Sequence, residues 1–259
     1  MNYIKPPIKF PPLDLDRCSK EPLWCKKEIV KRLMLLLLEY TRSKPLPFMA
    51  HIEPFGPGPT RPPVIPPDTQ EEIPLYSNTT DGMVAILETS WALAHAETVG
   101  GVHDDVSATY IWAVRSRENA GTYGIDRSFF DFDLSLIPSS KTVTAVSLKI
   151  KNIGTHTEPV SIQEGTQDIP ISTADLRKFT GLSFGHQAWT GVYNTIDFNS
   201  LGVAYIQSKL ASTAKLCARD YDHDYLNISP NVAEVSAAGM YYANTASDDD
   251  KPLLTITTS

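Results

Sequence analysis

In DYDHDY, residues 220–225, three carboxylates and an imidazole crowd into five positions: Asp220, Asp222, His223 and Asp224. Carboxylates alternating along a loop are the ligand pattern of a hard cation, and calcium is the ion such a loop would take. A solvated, charge-rich loop after an edge strand accounts for the same residues and is the preferred reading. VHDDV sets His103 beside Asp104 and Asp105. A histidine among acids titrates near neutrality, but adjacent residues of a strand point to opposite faces and do not converge. SDDDK, residues 247–251, reads as a hairpin tip. Trp189, Tyr193, Tyr221 and Tyr225 would stack on sugar rings if they projected in a row from one sheet; large aromatics in a sandwich otherwise serve the core or its rim.

No zinc-protease helix, phosphate-binding loop or dinucleotide fingerprint occurs in the chain. The paired carboxylates of a glycosidase need only meet in space, so sequence leaves them open. A non-catalytic chain is the expectation. Cys18, Cys25 and Cys217 are odd in number and lack metal-type spacing, so neither a disulfide framework nor a zinc site is expected.

The elements that would carry these residues are strands. YIWAVRS puts Tyr110, Trp112 and Val114 on one face, SFFDFDLS puts Phe130, Phe132 and Leu134 on one face, and VSLKI repeats the alternation. PVSIQ, NTIDF, KLCARD and PLLTITT continue the pattern. Only STADLRKF, residues 172–179, reads as a short helix, capped by Ser172 or Thr173. Eight or nine strands over residues 75–259 predict a mainly β fold, an antiparallel jelly-roll β-sandwich.

The first 74 residues differ. They hold 15 of the 20 prolines, ten of them within residues 45–74. Each proline fixes φ and removes a donor, so residues 45–74 read as an extended proline-rich linker. Residues 1–17 read as an extended arm, and residues 18–44 as a helix carrying Trp24, Ile29, Leu33, Leu36, Leu37 and Tyr40 at helical spacing. Its six consecutive apolar side chains, residues 33–38, are far short of the ~20 that span a bilayer. Membrane insertion is not expected, and the opening residues lack the apolar core of a secretory leader. Residues 1–48 carry ten Lys/Arg against five Asp/Glu, while residues 49–259 carry 13 against 25. Arginine runs with interleaved aromatics are absent, so nucleic acid is not the expected partner.

Arg127-Ser128-Phe129-Phe130-Asp131-Phe132-Asp133, the later Tyr193–Asp197 strand continued by Phe198-Asn199, Leu216-Cys217-Ala218-Arg219 and the closing Lys251-Pro252-Leu253-Leu254 fall in an order that resembles the DNRLRE-type jelly-roll domain family over about residues 80–259. Domains of this kind occur in phage structural proteins and bacterial surface proteins. The resemblance implies a fold and a building or binding role. The expected function is a structural subunit of a virus or phage particle (capsid decoration, head fibre or tail), in the virion or outside the cell. Residues 1–74 would contact the other subunits, and homo-oligomers are expected. A carbohydrate-binding module that takes a surface glycan, and an extracellular filament subunit, are the alternatives.

Overall fold

The computed structural model describes residues 70–105, 107–153, 158–245 and 247–259, which fall within one compact unit. The arm, the helix with Trp24, Ile29, Leu33, Leu36, Leu37 and Tyr40, and nearly all of the proline-rich linker lie outside the described residues.

Among the described residues, twelve strands and two short α-helices follow in the order β1 (Glu71–Tyr76), β2 (Gly82–Glu88), α1 (Trp91–Ala96), β3 (Val102–Asp104), β4 (Thr109–Asn119), β5 (Thr122–Asp133), β6 (Val143–Lys151), β7 (Pro159–Gly165), β8 (Phe179–Ala188), β9 (Tyr193–Asp197), α2 (Ser200–Lys209), β10 (Thr213–Asp220), β11 (Val235–Tyr241) and β12 (Leu253–Thr258). One sheet runs β1-β12-β6-β9. The larger runs β11-β4-β5-β10-β7-β8, with β2 and β3 attached through β5. Every strand pairing is antiparallel, which makes the architecture mainly β with two sheets resembling a sandwich.

Period-two alternation explains the packing. On β5, Phe130 and Phe132 enter one continuous core with Val146, Leu148 and Ile150 of β6, Ile196 of β9, and Leu254 and Ile256 of β12. The preceding Phe129 turns to the other face and joins Val84, Ile171, Leu176 and Cys217 in a second cluster. The larger sheet is therefore covered on both faces, which is why β5 is buried along nearly its whole length.

Four expectations need correction. β1 starts at Glu71, inside the stretch read as linker, because Pro74 sits on an edge strand that pairs only with β12 and needs no donor on its free side. STADLRKF is not the only helical stretch, because α1 and α2 also form, the latter started by Asn199, whose Oδ1 accepts from the backbone N–H groups of Leu201 (3.0 Å) and Gly202 (3.2 Å). The helix expected over residues 172–179 is a single 3-10 turn, Thr173–Asp175, closed by a reciprocal Ser172–Asp175 capping box. SDDDK is no hairpin tip: Asp248–Asp250 turns the chain as it crosses from β11 in one sheet to β12 in the other.

Truncation checks the role of β1. A chain beginning at residue 70 should melt cooperatively with a β-type circular dichroism spectrum. One beginning at residue 75 loses Ile73, which packs on the core, and four of the six residue pairs that join β1 to β12. At about 2 kcal/mol for the buried side chain, its midpoint should fall by roughly 4–8 °C.

Candidate functional site: a clasped turn on the larger sheet

At the end of β10 the chain tightens into one π-type turn, Tyr221–Tyr225. Asp220 begins it, accepting the His223 backbone N–H at Oδ1 (2.8 Å) and the Ser236 hydroxyl at Oδ2. Burial raises the Asp220 carboxyl above its ordinary range, against these two bonds.

Asp224 points the other way, onto the outer face of the larger sheet. Two arginines meet it there. Arg127 of β5 donates from Nε to Oδ2 and from Nη2 to Oδ1, both at 2.7 Å, and Arg219 of β10 donates from Nε to Oδ2 and from Nη2 to Oδ1, both at 2.9 Å. The remaining donors are also used: Arg127 Nη1 reaches the Leu176 carbonyl (2.7 Å) and Arg219 Nη1 reaches Gln163 Oε1 (2.7 Å). Phe179 lies against both guanidiniums, its ring centre 4.8 Å from Arg127 and 4.1 Å from Arg219. Arg127 and Asp224 are fully buried and Arg219 nearly so.

Burial opposes ionisation of Asp224, yet the two guanidiniums overcome it and hold the carboxyl far below the usual range. His95 of α1 donates from Nε2 to the Asp224 carbonyl oxygen (3.0 Å), and burial lowers its pKa. Cys217, on the same face, has its thiol pushed up to about 12 by burial, so it packs as an apolar side chain.

The four residues of the proposed cation loop therefore diverge. Asp224 is committed to arginines, Asp220 to the turn, and His223 Nδ1 to the Ile228 carbonyl (2.8 Å), with Nε2 3.6 Å from Glu234; Asp222 is half-buried. Among the described residues no group of three or more His, Cys, Asp or Glu is placed to hold a metal ion. A solvated loop is equally wrong as a description, because Asp220, His223 and Asp224 are buried.

The other candidates scatter. His103 is exposed on β3, while Asp104 accepts the Ser107 hydroxyl (2.6 Å) and backbone N–H (2.9 Å). Trp189 is core, its Nε1 donating to the Gly239 carbonyl (3.2 Å). Tyr193 stands half-exposed on the smaller sheet beside Lys149 and Lys151. Tyr221 is stacked between His186 (3.8 Å between centroids) and Tyr225 (5.5 Å). No helix among the described residues is long and apolar enough to cross a membrane.

Neither a family model nor a curated protein matches the chain.

Arg127 and Arg219 went unnoticed as site residues. Each shares the parity of one apolar neighbour, Phe129 or Cys217, on the face away from the main core, and that face reads as solvent-exposed until the fold covers it.

A second buried acid behaves oppositely. Asp81 accepts the Ser77 hydroxyl (2.7 Å) and the Ala243 backbone N–H (2.9 Å) at Oδ2, with no cation among these partners. Burial, with a smaller contribution from the Asp131 charge, pushes it up to about 7.

Removing one partner from the clasp strands the others. Arg127→Met or Asp224→Asn should lower unfolding free energy by about 3–5 kcal/mol in denaturant titrations near neutral pH. Because the Asp224 carboxyl is depressed in the fold, its contribution is complete above the unfolded value near 4 and disappears as pH falls. The Asp224→Asn deficit should therefore shrink in acid. Asp81, raised in the fold, gives the reverse: its neutral form is at no disadvantage below about pH 4, and stability is lost as pH rises through about 7. Asp81→Asn should match the parent at pH 4 and melt higher at pH 8.

Proposed function

We propose that the chain is a non-catalytic structural subunit of a large assembly, a virus or phage particle component displayed on its sandwich and attached through residues 1–74. The observation that carries this reading is the run of six apolar residues at 33–38, followed by a proline-rich stretch, on a chain whose sandwich fills its core with its own side chains. Each buried leucine contributes about 1.5–3 kcal/mol, so the run is stable only where something covers it, and neighbouring subunits of a particle supply such a cover. An extended proline-rich stretch loses little entropy on ordering and suits an attachment strap.

The strand order supports a jelly roll. With β2–β4 and β11 set aside as additions, β1, β5, β6, β7, β8, β9, β10 and β12 change row at every step except the β7–β8 hairpin, between two four-strand rows, β1-β12-β6-β9 and β5-β10-β7-β8. This order is what the wrapping of an eight-stranded double Greek key would give, and it supports the reading along with the resemblance to the DNRLRE-type domains. The carbohydrate-binding alternative is weaker: an exposed aromatic row would favour it, but Trp189 is in the core and Tyr221 is stacked with His186 and Tyr225, leaving Tyr193 apart on the smaller sheet.

Leu33→Asp with Leu37→Asp in the full chain tests the attachment. The variant should keep the parent's melting temperature and fail to enter the native particle, whose mass can be measured directly. Normal incorporation of the variant, or isolation of the parent only as a free monomer, would sink the reading.

A further inference from the structure

Residues 77–81 carry the chain from β1 in the smaller sheet to β2 in the larger, and two carboxylates close this loop. Asp81 is 1% exposed. It accepts the Ser77 hydroxyl at Oδ2 (2.7 Å) and the Ala243 backbone N–H at Oδ2 (2.9 Å) and Oδ1 (3.2 Å). Asp131 of β5 accepts the Thr80 hydroxyl (2.7 Å) and the Asn78 side-chain amide. Among the described residues, the titratable groups on the surrounding elements bring no free positive charge. Asp104 and Asp105 lie at the end of β3 against Gly82, the Tyr242 phenol is bonded to Ser128 (2.7 Å), and Asp126 farther along β5 has Arg115 as its partner (3.0 Å).

This setting suits a carboxylic acid better than a carboxylate. A neutral Asp81 with its proton on Oδ2 keeps its bonds: the Ser77 hydroxyl turns to accept, and Oδ1 holds the Ala243 N–H. An ionised Asp81 has two donors for a buried charge and the Asp131 charge beside it. Its relief is to reach water, and the segments that must part are loops. Residues 77–81 are tied to β5 by the Asn78 N–H to the Asp131 carbonyl (2.9 Å) and by the Asp131 side chain, and residues 243–245 by Asn244 Nδ2 to the Asp105 carbonyl (2.9 Å). We propose that Asp81 is a proton-operated latch: neutral, it closes residues 77–81 on residues 243–245, and on ionisation it releases the two segments together while the sheets stay paired.

Linkage sets the direction. Burial holds the Asp81 carboxyl up at about 7, against an ordinary value of 3.8 that it regains on reaching water. Between those values the open loop is ionised and the closed loop neutral, so opening is favoured about tenfold per pH unit, and the gain levels off above about pH 7. Below about pH 4 the latch is shut. Opening stays local because the ladders beside the loop do not depend on it: six residue pairs join β1 to β12 and seven join β2 to β5. Tyr242, held by Ser128 and by its own N–H to the Ala108 carbonyl (3.0 Å), marks where the release stops. What loosens is the tie between the two sheets beside β1, the first described strand. The latch is independent of what residues 1–74 attach to.

Hydrogen exchange of the full chain, followed by mass spectrometry between about pH 5 and pH 8 and corrected for intrinsic exchange, tests the latch. Protection of residues 77–82 and 243–245 should fall together, by about tenfold per unit up to pH 7, while β5, β6 and β12 keep theirs. Asp81→Asn, neutral at every pH, should abolish the slope. The Asp81 carboxyl carbon, read by NMR in the parent, should titrate near 7, a measurement that stands even where the variant fails to fold. Flat protection in the parent, the same slope in Asp81→Asn, a carboxyl that titrates near its ordinary value, or protection lost across both sheets at once would each overturn the proposal.

Discussion

One carboxylate between two guanidiniums decides how the outer layer of this protein is built. Asp224 lies 97 positions from Arg127, and neither side chain is tolerable where it sits without the other, since an isolated buried charge costs far more than the fold's net stability. Arg219 completes the set and leaves one positive charge in excess, spread over the Phe179 face and two oxygen acceptors. Drawing Asp224 inward closes the turn; the closed turn offers its carbonyl to His95 and brings Asn227 to Trp91. The sandwich core depends on apolar area, which forgives small shifts. The cover layer depends on charge pairing and on directional bonds, which do not.

The strand β5 links the two regimes. Phe130 and Phe132 belong to the core between the sheets, while Arg127 and Phe129 belong to the cover. Asp131 also binds the Thr80 hydroxyl (2.7 Å) and the Asn78 side chain, tying the loop before β2 to the strand. Asp126 pairs with Arg115 across β4 and β5 at 3.0 Å, and burial still lifts its carboxyl to about 6. Both faces of one strand thus carry structural duties, so few substitutions along it are neutral. Its burial on both sides also removes the freedom to slip register, because a slip by one residue would send the phenylalanines outward and the charges into the core.

Sequence reading succeeded where one physical signal acted alone. β4, β5, β6, β7, β9, β10 and β12 alternate clearly because each turns a side to the core. β2, GMVAILE, does not alternate: both its faces pack, so its apolar run carries no period. β8 is obscured by Gly181 and Gly185 and by a register break against β7. In α2 the buried residues, Gly202, Tyr205 and Ile206, include a glycine, and the Leu201 side chain is half-exposed, so no continuous apolar stripe appears. The acid-rich turn was visible as a cluster but not as an anchor. Its meaning resides in Arg127 and Arg219, which only the fold brings to it, and a carboxylate bound for arginine has the same letter as one bound for calcium.

How the sheets end limits how copies of the body can meet. A free strand edge is a template for pairing with another chain, and these edges are blunted. β1 carries Glu71, Glu72 and Pro74; β3 has only three residues. The middle of β8 is bulged, with its Ser183 and Phe184 carbonyls taken by Asn199 at 2.8 and 2.6 Å. β11 is bridged through Asn152 to Met240, and Ile153 donates to the Gly239 carbonyl. Addition of strands between bodies is thereby disfavoured, and surfaces rather than edges must carry any association. In the cover layer, α1 lies beside the turn that holds the buried ion pairs, its His95 bonded to the Asp224 carbonyl and its Ala96 carbonyl bonded by Arg177. The clasp that stabilises the layer thus keeps its charges inside, where Phe179 and the Leu176 and Gln163 oxygens take up the excess positive charge.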